Sequence, residues 1–173
     1  MANLIAIAAV GKNMELGAWG DLVWRIDEDL QFFRKSTLGQ YIVMGRKTYD
    51  SMPKRLNERQ YLVISRSMPQ TEGLELFANV EEFLDFSSTI DENIFVIGGG
   101  KIYKQLLPFC GKMILTHINQ TSPHADVTFP AFDQNQWNVT ECQNFEENDI
   151  TYTRMTYERQ QEQMPPNITT EAQ

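Results

Sequence analysis

At 173 residues, 42% of them hydrophobic and 22% charged, the chain has the size of one domain and can bury a full core without disulfide or metal staples. Its net charge of −8 argues against general binding to nucleic acid or to an anionic membrane surface. Cys110 and Cys142 lack metal-ligand spacing and fit reduced thiols, and the apolar opening is too short to span a bilayer.

Residues 4–10 are small and branched apolar side chains, as a central strand buried on both faces requires. Glycine and polar residues then dominate 11–23, with Trp19 and Leu22 among them, and a loop of that length in a compact domain is usually functional. Residues 27–35 predict a helix with acids in the first turn and bases in the last. Leu30 and Phe33 share one of its faces, and Asp29 lies beside that face, where a carboxylate can be half-buried. Asp27 falls at the helix start as its N-cap.

A short strand at 41–44 runs into Gly45-Arg46-Lys47-Thr48, and another at 61–64 ends in Ser65-Arg66-Ser67. A strand at 74–77 and a helix at 80–86 lead to the apolar run Ile94-Phe95-Val96-Ile97, which meets Gly98-Gly99-Gly100 and then helical spacing from Lys101. Residues 112–118 form a strand carrying Thr116 and His117, a long loop containing Asp126 follows, and 137–145 with 150–157 alternate as an antiparallel hairpin. The predicted architecture is α/β, a mixed, mainly parallel sheet of eight strands with helices on both faces. The folded domain is expected over 1–158, and the Gln-, Glu- and Pro-rich stretch 159–173 is expected to be a disordered tail.

Two sets of residues carry chemistry. Three consecutive glycines between strand and helix cost order, which suggests close approach of backbone to a ligand, and strand ends in such folds commonly bind phosphates. The segment from Arg46 to Arg66 adds six basic residues against two acids, and Arg66 beside a hydroxyl suits a ribose 2′-phosphate. The second set is Asp29, a lone carboxylate near Trp24, Leu30 and Phe33 with few obvious protein partners, suited to two N–H groups side by side.

The order and spacing of these segments resemble the dihydrofolate reductase family over residues 4–157. The residues that carry the resemblance are Ile7-Ala8-Ala9-Val10-Gly11, then 22–30 from Leu22 through Trp24 to Leu30, and Val43-Met44-Gly45-Arg46-Lys47-Thr48-Tyr49. They continue in Val63-Ile64-Ser65-Arg66, in Val96-Ile97-Gly98-Gly99-Gly100 with Tyr103, and in Leu115-Thr116-His117.

The resemblance implies an NADPH-dependent reduction of dihydrofolate, by hydride transfer from C4 of the cofactor to C6 of the substrate with protonation at N5. Asp29 would grip the pterin N3 and 2-amino group, helped by Thr116, while Leu22 and Trp24 belong to the mobile loop over the nicotinamide. Ile7, Ala8, Leu30 and Phe33 would wall the substrate pocket with Met52, Leu56, Ile97 and Tyr103, and Arg59 would hold the α-carboxylate of the glutamate tail. For the cofactor, Ala9, Leu16 and Gly17 would meet the nicotinamide carboxamide. Gly45, Arg46, Lys47 and Thr48 would bind phosphates, and Ser65, Arg66 and Ser67 would surround the 2′-phosphate. Gly98, Gly99 and Gly100, followed by Lys101, Ile102 and Tyr103, would line the pyrophosphate and nicotinamide. Asp126 matches the residue that in the family hydrogen-bonds the mobile loop.

Two departures stand out: Val23 and Asp27 occupy positions where the family usually has proline. The second sets Asp27 against Asp29 for the catalytic role, and the spacing from Trp24 favours Asp29. The resemblance also implies a monomeric, cytoplasmic enzyme with no metal. A reductase of another pteridine or aminopyrimidine, or a non-catalytic folate-binding protein, are the alternatives. Arg59 speaks for folate, and the retained Asp29 and glycine run speak against loss of catalysis.

Overall fold

The computed structural model describes residues 1–17, 23–52 and 58–161. Eight strands make one sheet in the order β4-β3-β2-β5-β1-β6-β8-β7. They are β1 (Asn3–Val10), β2 (Tyr41–Gly45), β3 (Gln60–Ile64), β4 (Leu74–Phe77), β5 (Asn93–Val96), β6 (Lys112–Ile118), β7 (Trp137–Glu147) and β8 (Ile150–Arg159). Every pairing from β4 to β6 is parallel. The β7–β8 hairpin joins antiparallel to β6.

Side-chain alternation divides the core between the two faces of the sheet. Leu4, Ala6, Val43, Leu62, Ile94 and Val96 face one way, against Phe83 of α3 (Val80–Ser88) and Ile102, Tyr103 and Leu106 of α4 (Gly100–Leu106). Their strand neighbours Ile5, Ile7, Ile42, Met44, Val63 and Phe95 face the other way, against Phe32 and Phe33 of α1 (Asp27–Thr37) and Tyr49 of α2 (Arg46–Ser51). The continuous apolar runs of β1, β2 and β5 follow from burial on both sides. The α/β class, the eight strands and the helices on both faces are as the sequence predicts.

Three details differ. The N-cap of α1 is Ile26, not Asp27, and Ile26 makes no side-chain capping bond. The carboxylate of Glu147 at the end of β7 takes that role, accepting from the Asp27 N–H at 2.8 Å and the Glu28 N–H at 3.1 Å. Second, β8 runs through Arg159, one residue past the expected boundary. Arg159 Nε donates to the Cys110 carbonyl at 2.9 Å, Nη2 donates to that of Leu107 at 2.8 Å, and the guanidinium lies 4.2 Å from the centre of the Trp137 ring. Third, Asp29 is not a lone carboxylate, as the site makes clear. Both cysteines are free thiols, and burial pushes Cys110 up to about 12. The stretch 162–173 of the expected tail lies outside the described residues.

Candidate active site

The carboxyl ends of β1, β2, β3 and β5 open on a cavity of about 1050 Å³. Parallel order places these ends on one edge, with β5 and β6 flanking β1 on opposite sides, as in open α/β sheets that bind ligands at a crevice. The first wall is apolar: Ile7, Ala8, Leu30, Phe33 and Ile97 enclose Asp29 and Thr116. The second is polar and cationic, with Arg46, Lys47, Thr48, Ser65 and Arg66. Ala9, Leu16, Gly17 and Trp24 lie at the margin between them, and Gly45, Gly99, Gly100, Lys101, Ile102 and Tyr103 complete the floor.

Asp29 is held from two strands. Its Oδ1 accepts from Thr116 Oγ1 at 2.6 Å and from Arg154 Nη2 at 2.7 Å. Thr116 and Arg154 are direct partners in the β6–β8 register, so a single rung of the sheet supplies both donors. The Asp29 side chain is 18% exposed, and its Oδ2 has no protein donor among the described residues. One oxygen is fixed and the other is offered to the cavity.

The glycine run divides by function. Gly98 has φ of +117°, which favours glycine, and its carbonyl accepts from the Gly45 N–H at 2.9 Å, joining the two strand ends. A Cβ on Gly100 would lie 2.6 Å from Val127 Cγ1, so this glycine lets the 119–132 loop close over the cavity floor. The Tyr103 hydroxyl donates to the Ile7 carbonyl at 2.7 Å, and burial raises its pKa, so that it stays a neutral donor bracing β1.

Some expected residues stand off the cavity wall. Gly98 acts through backbone, and Ser67 accepts from Arg46 Nη1 at 3.3 Å and so orients that guanidinium. Met52 packs into the core beside α2. Arg59 donates from Nε to Thr37 Oγ1 at 3.2 Å and from Nη2 to the Arg34 carbonyl, behind α1. Leu22 and Leu56 lie outside the described residues. Asp126 also faces the cavity, in company with Ser122, His124 and Val127.

Sequence reasoning missed Arg154, Glu28, Glu147 and Glu15. The available signal for Arg154 was its alternation in phase with Tyr152 and Thr156 on β8, which puts all three on one buried face. Glu15 is buried and accepts from the backbone N–H groups of Asn13 and Ser122. Trp24 Nε1 donates to Gln120 Oε1 at 2.9 Å, a further side-chain tie between two loops that backbone bonds such as Lys12 N–H to the Gln120 carbonyl also join.

An apolar pocket ending in a carboxylate, continuous with a cationic groove on the carboxyl edge of a mainly parallel sheet, defines a nucleotide-dependent enzyme acting on a small, flat, N–H-rich substrate. The dihydrofolate reductase family model matches residues 3–159. The chain is 35% identical to the dihydrofolate reductase of Haemophilus influenzae over 133 residues, 77% of this chain and 82% of that protein. With the enzyme of Bacillus subtilis it shares 33% over 158 residues, 88% of this chain and 92% of the relative. A dihydrofolate reductase from Enterococcus faecalis complexed with NADP(H) and RAB-propyl superimposes with a TM-score of 0.82 at 28% identity, covering 91% of this chain and 96% of that one. The chain belongs to the dihydrofolate reductase family.

Proposed function

We propose that the cavity binds NADPH in its cationic half and dihydrofolate in its apolar half, with Asp29 as the anchor of the pterin. The protein catalyses NADPH-dependent reduction of dihydrofolate to tetrahydrofolate, as its family does. The observation that carries the residue assignment is the Asp29 carboxylate, fixed through Oδ1 and open at Oδ2 at the end of an apolar wall.

The donor set fits the cofactor. Arg46, Lys47 and Thr48 at the start of α2 supply two cations and a hydroxyl for phosphates, and Ser65 with Arg66 suits a 2′-phosphate. When bound, NADPH supplies the hydride that reaches C6 of dihydrofolate. The protein's own residues then do three things. Asp29 accepts from the paired N–H groups of the pterin, which orients the ring and polarises it towards protonation at N5. Thr116 keeps the carboxylate in that orientation. Trp24, at the margin of the cavity, would help shield the reacting face from bulk water, with water delivering the N5 proton.

Arg59, bonded to Thr37 Oγ1 and to the Arg34 carbonyl, is the residue assigned to the α-carboxylate of the glutamate tail on the family resemblance. A monomer in the cytoplasm, without nucleic acid or membrane partners, goes with this reading. Among the described residues no helix is long and apolar enough to cross a membrane.

The decisive assay is loss of absorbance at 340 nm with NADPH and dihydrofolate together against each alone. Asp29→Asn is expected to lower the hydride-transfer rate at neutral pH by orders of magnitude. Asp27→Asn, altering a residue at the helix surface paired with Arg25 at 3.4 Å, is expected to leave it nearly intact. The reverse pattern would overturn the assignment.

A further inference from the structure

Arg154 is a charged residue in a place that packing alone would give to an apolar one. Its guanidinium lies 3.8 Å from the Phe32 ring centre and 4.8 Å from that of Phe145, and its side chain is 8% exposed. Its Nε is buried without a hydrogen-bond partner among the described residues. A Phe or Met between those rings would avoid the orphaned donor, and replacing buried ion pairs by apolar side chains is often neutral or stabilising. What Arg154 contributes is therefore to be sought in its charge.

That charge is held in one place. Nη2 donates to Glu28 Oε1 and to Asp29 Oδ1, each at 2.7 Å, and Nη1 donates to Glu28 Oε2 at 3.2 Å. The Tyr152 hydroxyl donates to Glu28 Oε1 at 2.8 Å. Burial would raise the pKa of Glu28, but the bonds from Arg154 and Tyr152 hold it below the ordinary carboxylate range. Glu28 thus anchors the guanidinium from behind. Arg154 itself is not part of the cavity wall, so it reaches a ligand only through Asp29.

We propose that Arg154 is a positioning and specificity-determining residue: by occupying Oδ1 of Asp29 it offsets the carboxylate's charge, so that the site selects a neutral amidine-type edge over a cationic one. This inference rests on the reading of Asp29 as the substrate anchor. A neutral aminopyrimidinone edge donates two N–H groups to the carboxylate and carries no net charge, so a guanidinium behind that carboxylate costs it little. A ring that binds in its protonated form depends on Coulomb attraction to Asp29, and the adjacent cation subtracts from that attraction directly. With Glu28 ionised, Asp29, Glu28 and Arg154 together keep a net charge of −1; without Arg154 the two carboxylates would pull harder on a cation, so the guanidinium tilts selection towards the neutral edge.

The test is a pair of probes sharing one shape. Pterin has a 4-oxo group and is neutral; 2,4-diaminopteridine is basic at its ring nitrogen and pairs with a carboxylate as a cation. Dissociation constants are measured by fluorescence quenching on the full chain saturated with NADP+, at pH 6, for the wild type, Arg154→Met, Arg154→Lys, Glu28→Gln and Asp29→Asn. Arg154→Met is expected to shift the ratio of the two constants about tenfold in favour of the diaminopteridine, the size of a partly screened unit-charge term. Arg154→Lys keeps the charge and should hold the ratio within about twofold of wild type on the same ground. Glu28→Gln leaves the guanidinium to Asp29 alone and should move the ratio the other way.

A ratio unchanged in Arg154→Met, or parallel weakening of both probes, would mean that Arg154 only fastens α1 to β8 and would overturn the proposal. Should Arg154→Met fail to fold, Glu28→Gln decides alone, and a ratio that is unchanged or moves towards the diaminopteridine overturns it. Asp29→Asn should weaken both probes; if both bind undiminished, it is the Asp29 reading that has failed.

Discussion

Glu15 is a buried acid whose carboxylate accepts backbone N–H groups from its own loop, at Asn13, and from the loop across the cavity mouth, at Ser122. Burial alone would raise its pKa, but those N–H groups outweigh burial and bring it below the ordinary value of 4.5. A folded value below the unfolded one means that the ionised form stabilises the fold above pH 4.5, and that this contribution is lost as pH falls through the folded value. Glu15→Gln keeps one acceptor and brings an N–H₂ towards another N–H, so it should cost about 1–3 kcal/mol at pH 7. Melting curves should show a Tm gap from wild type of several degrees at pH 7 that narrows below pH 4.5; a constant gap down to pH 3 would separate the loop tie from the carboxylate charge. Arg66 makes a sharper demand on chemistry. If it holds a 2′-phosphate, Arg66→Ala should raise KM for NADPH at least about tenfold, as loss of a charge-assisted pair does, while KM for NADH moves little. Equal effects would remove the 2′-phosphate from its role.

Elements were legible wherever their signal was local. The branched runs of β1, β2 and β5 are predicted within a residue or two, because burial on both faces leaves no polar position to confuse the pattern. The start of α1 was misread for the opposite reason. An acid at the helix start looks like an N-cap, yet the capping group is Glu147, 120 residues further along the chain than Asp27. The partner of Arg154 was illegible in the same way: alternation puts the residue on a buried face, but nothing near it in sequence shows that β8 pairs with β6 at Thr116, and only that register carries its guanidinium to Asp29. The cap has a functional consequence, because α1 carries the anchor. Glu147→Ala should cost about 0.5–2 kcal/mol, as loss of a helix cap does, and should raise KM for dihydrofolate while leaving KM for NADPH close to wild type. Urea unfolding together with steady-state kinetics checks both parts, and an unchanged KM would show that the packing of Phe32 and Phe33 positions Asp29 without the cap.

At the scale of the whole molecule, one sheet binds together two halves of different chemistry, and β8, the last strand among the described residues, lies inside it between β6 and β7. β8 supplies Arg154 to the site and then, at Arg159, fastens the far edge of the sheet to the end of α4 through the carbonyls of Leu107 and Cys110. The backbone N–H of Arg159 also donates to the Gly111 carbonyl at 2.9 Å, so the last rung of β8 is bonded by main chain and side chain alike. The folded unit therefore requires Arg159, whatever lies beyond it. A chain ended after Gln161 should keep its activity and melt within a degree or two of the full chain. One ended after Glu158 loses the two side-chain bonds and the Trp137 stack of Arg159, the side-chain bond from Gln160 to Asn138, and the backbone bonds of Arg159 and Gln160 together. At about 1 kcal/mol for each hydrogen bond, and 2–4 °C for each kcal/mol in a domain of this size, its Tm should fall by roughly 10–20 °C. Arg159→Ala in the full chain keeps the backbone bond and should fall in between. If the shorter chain melts with the longer one, the boundary at 158 expected from composition is the physical one, and the contacts of Arg159 contribute nothing to stability.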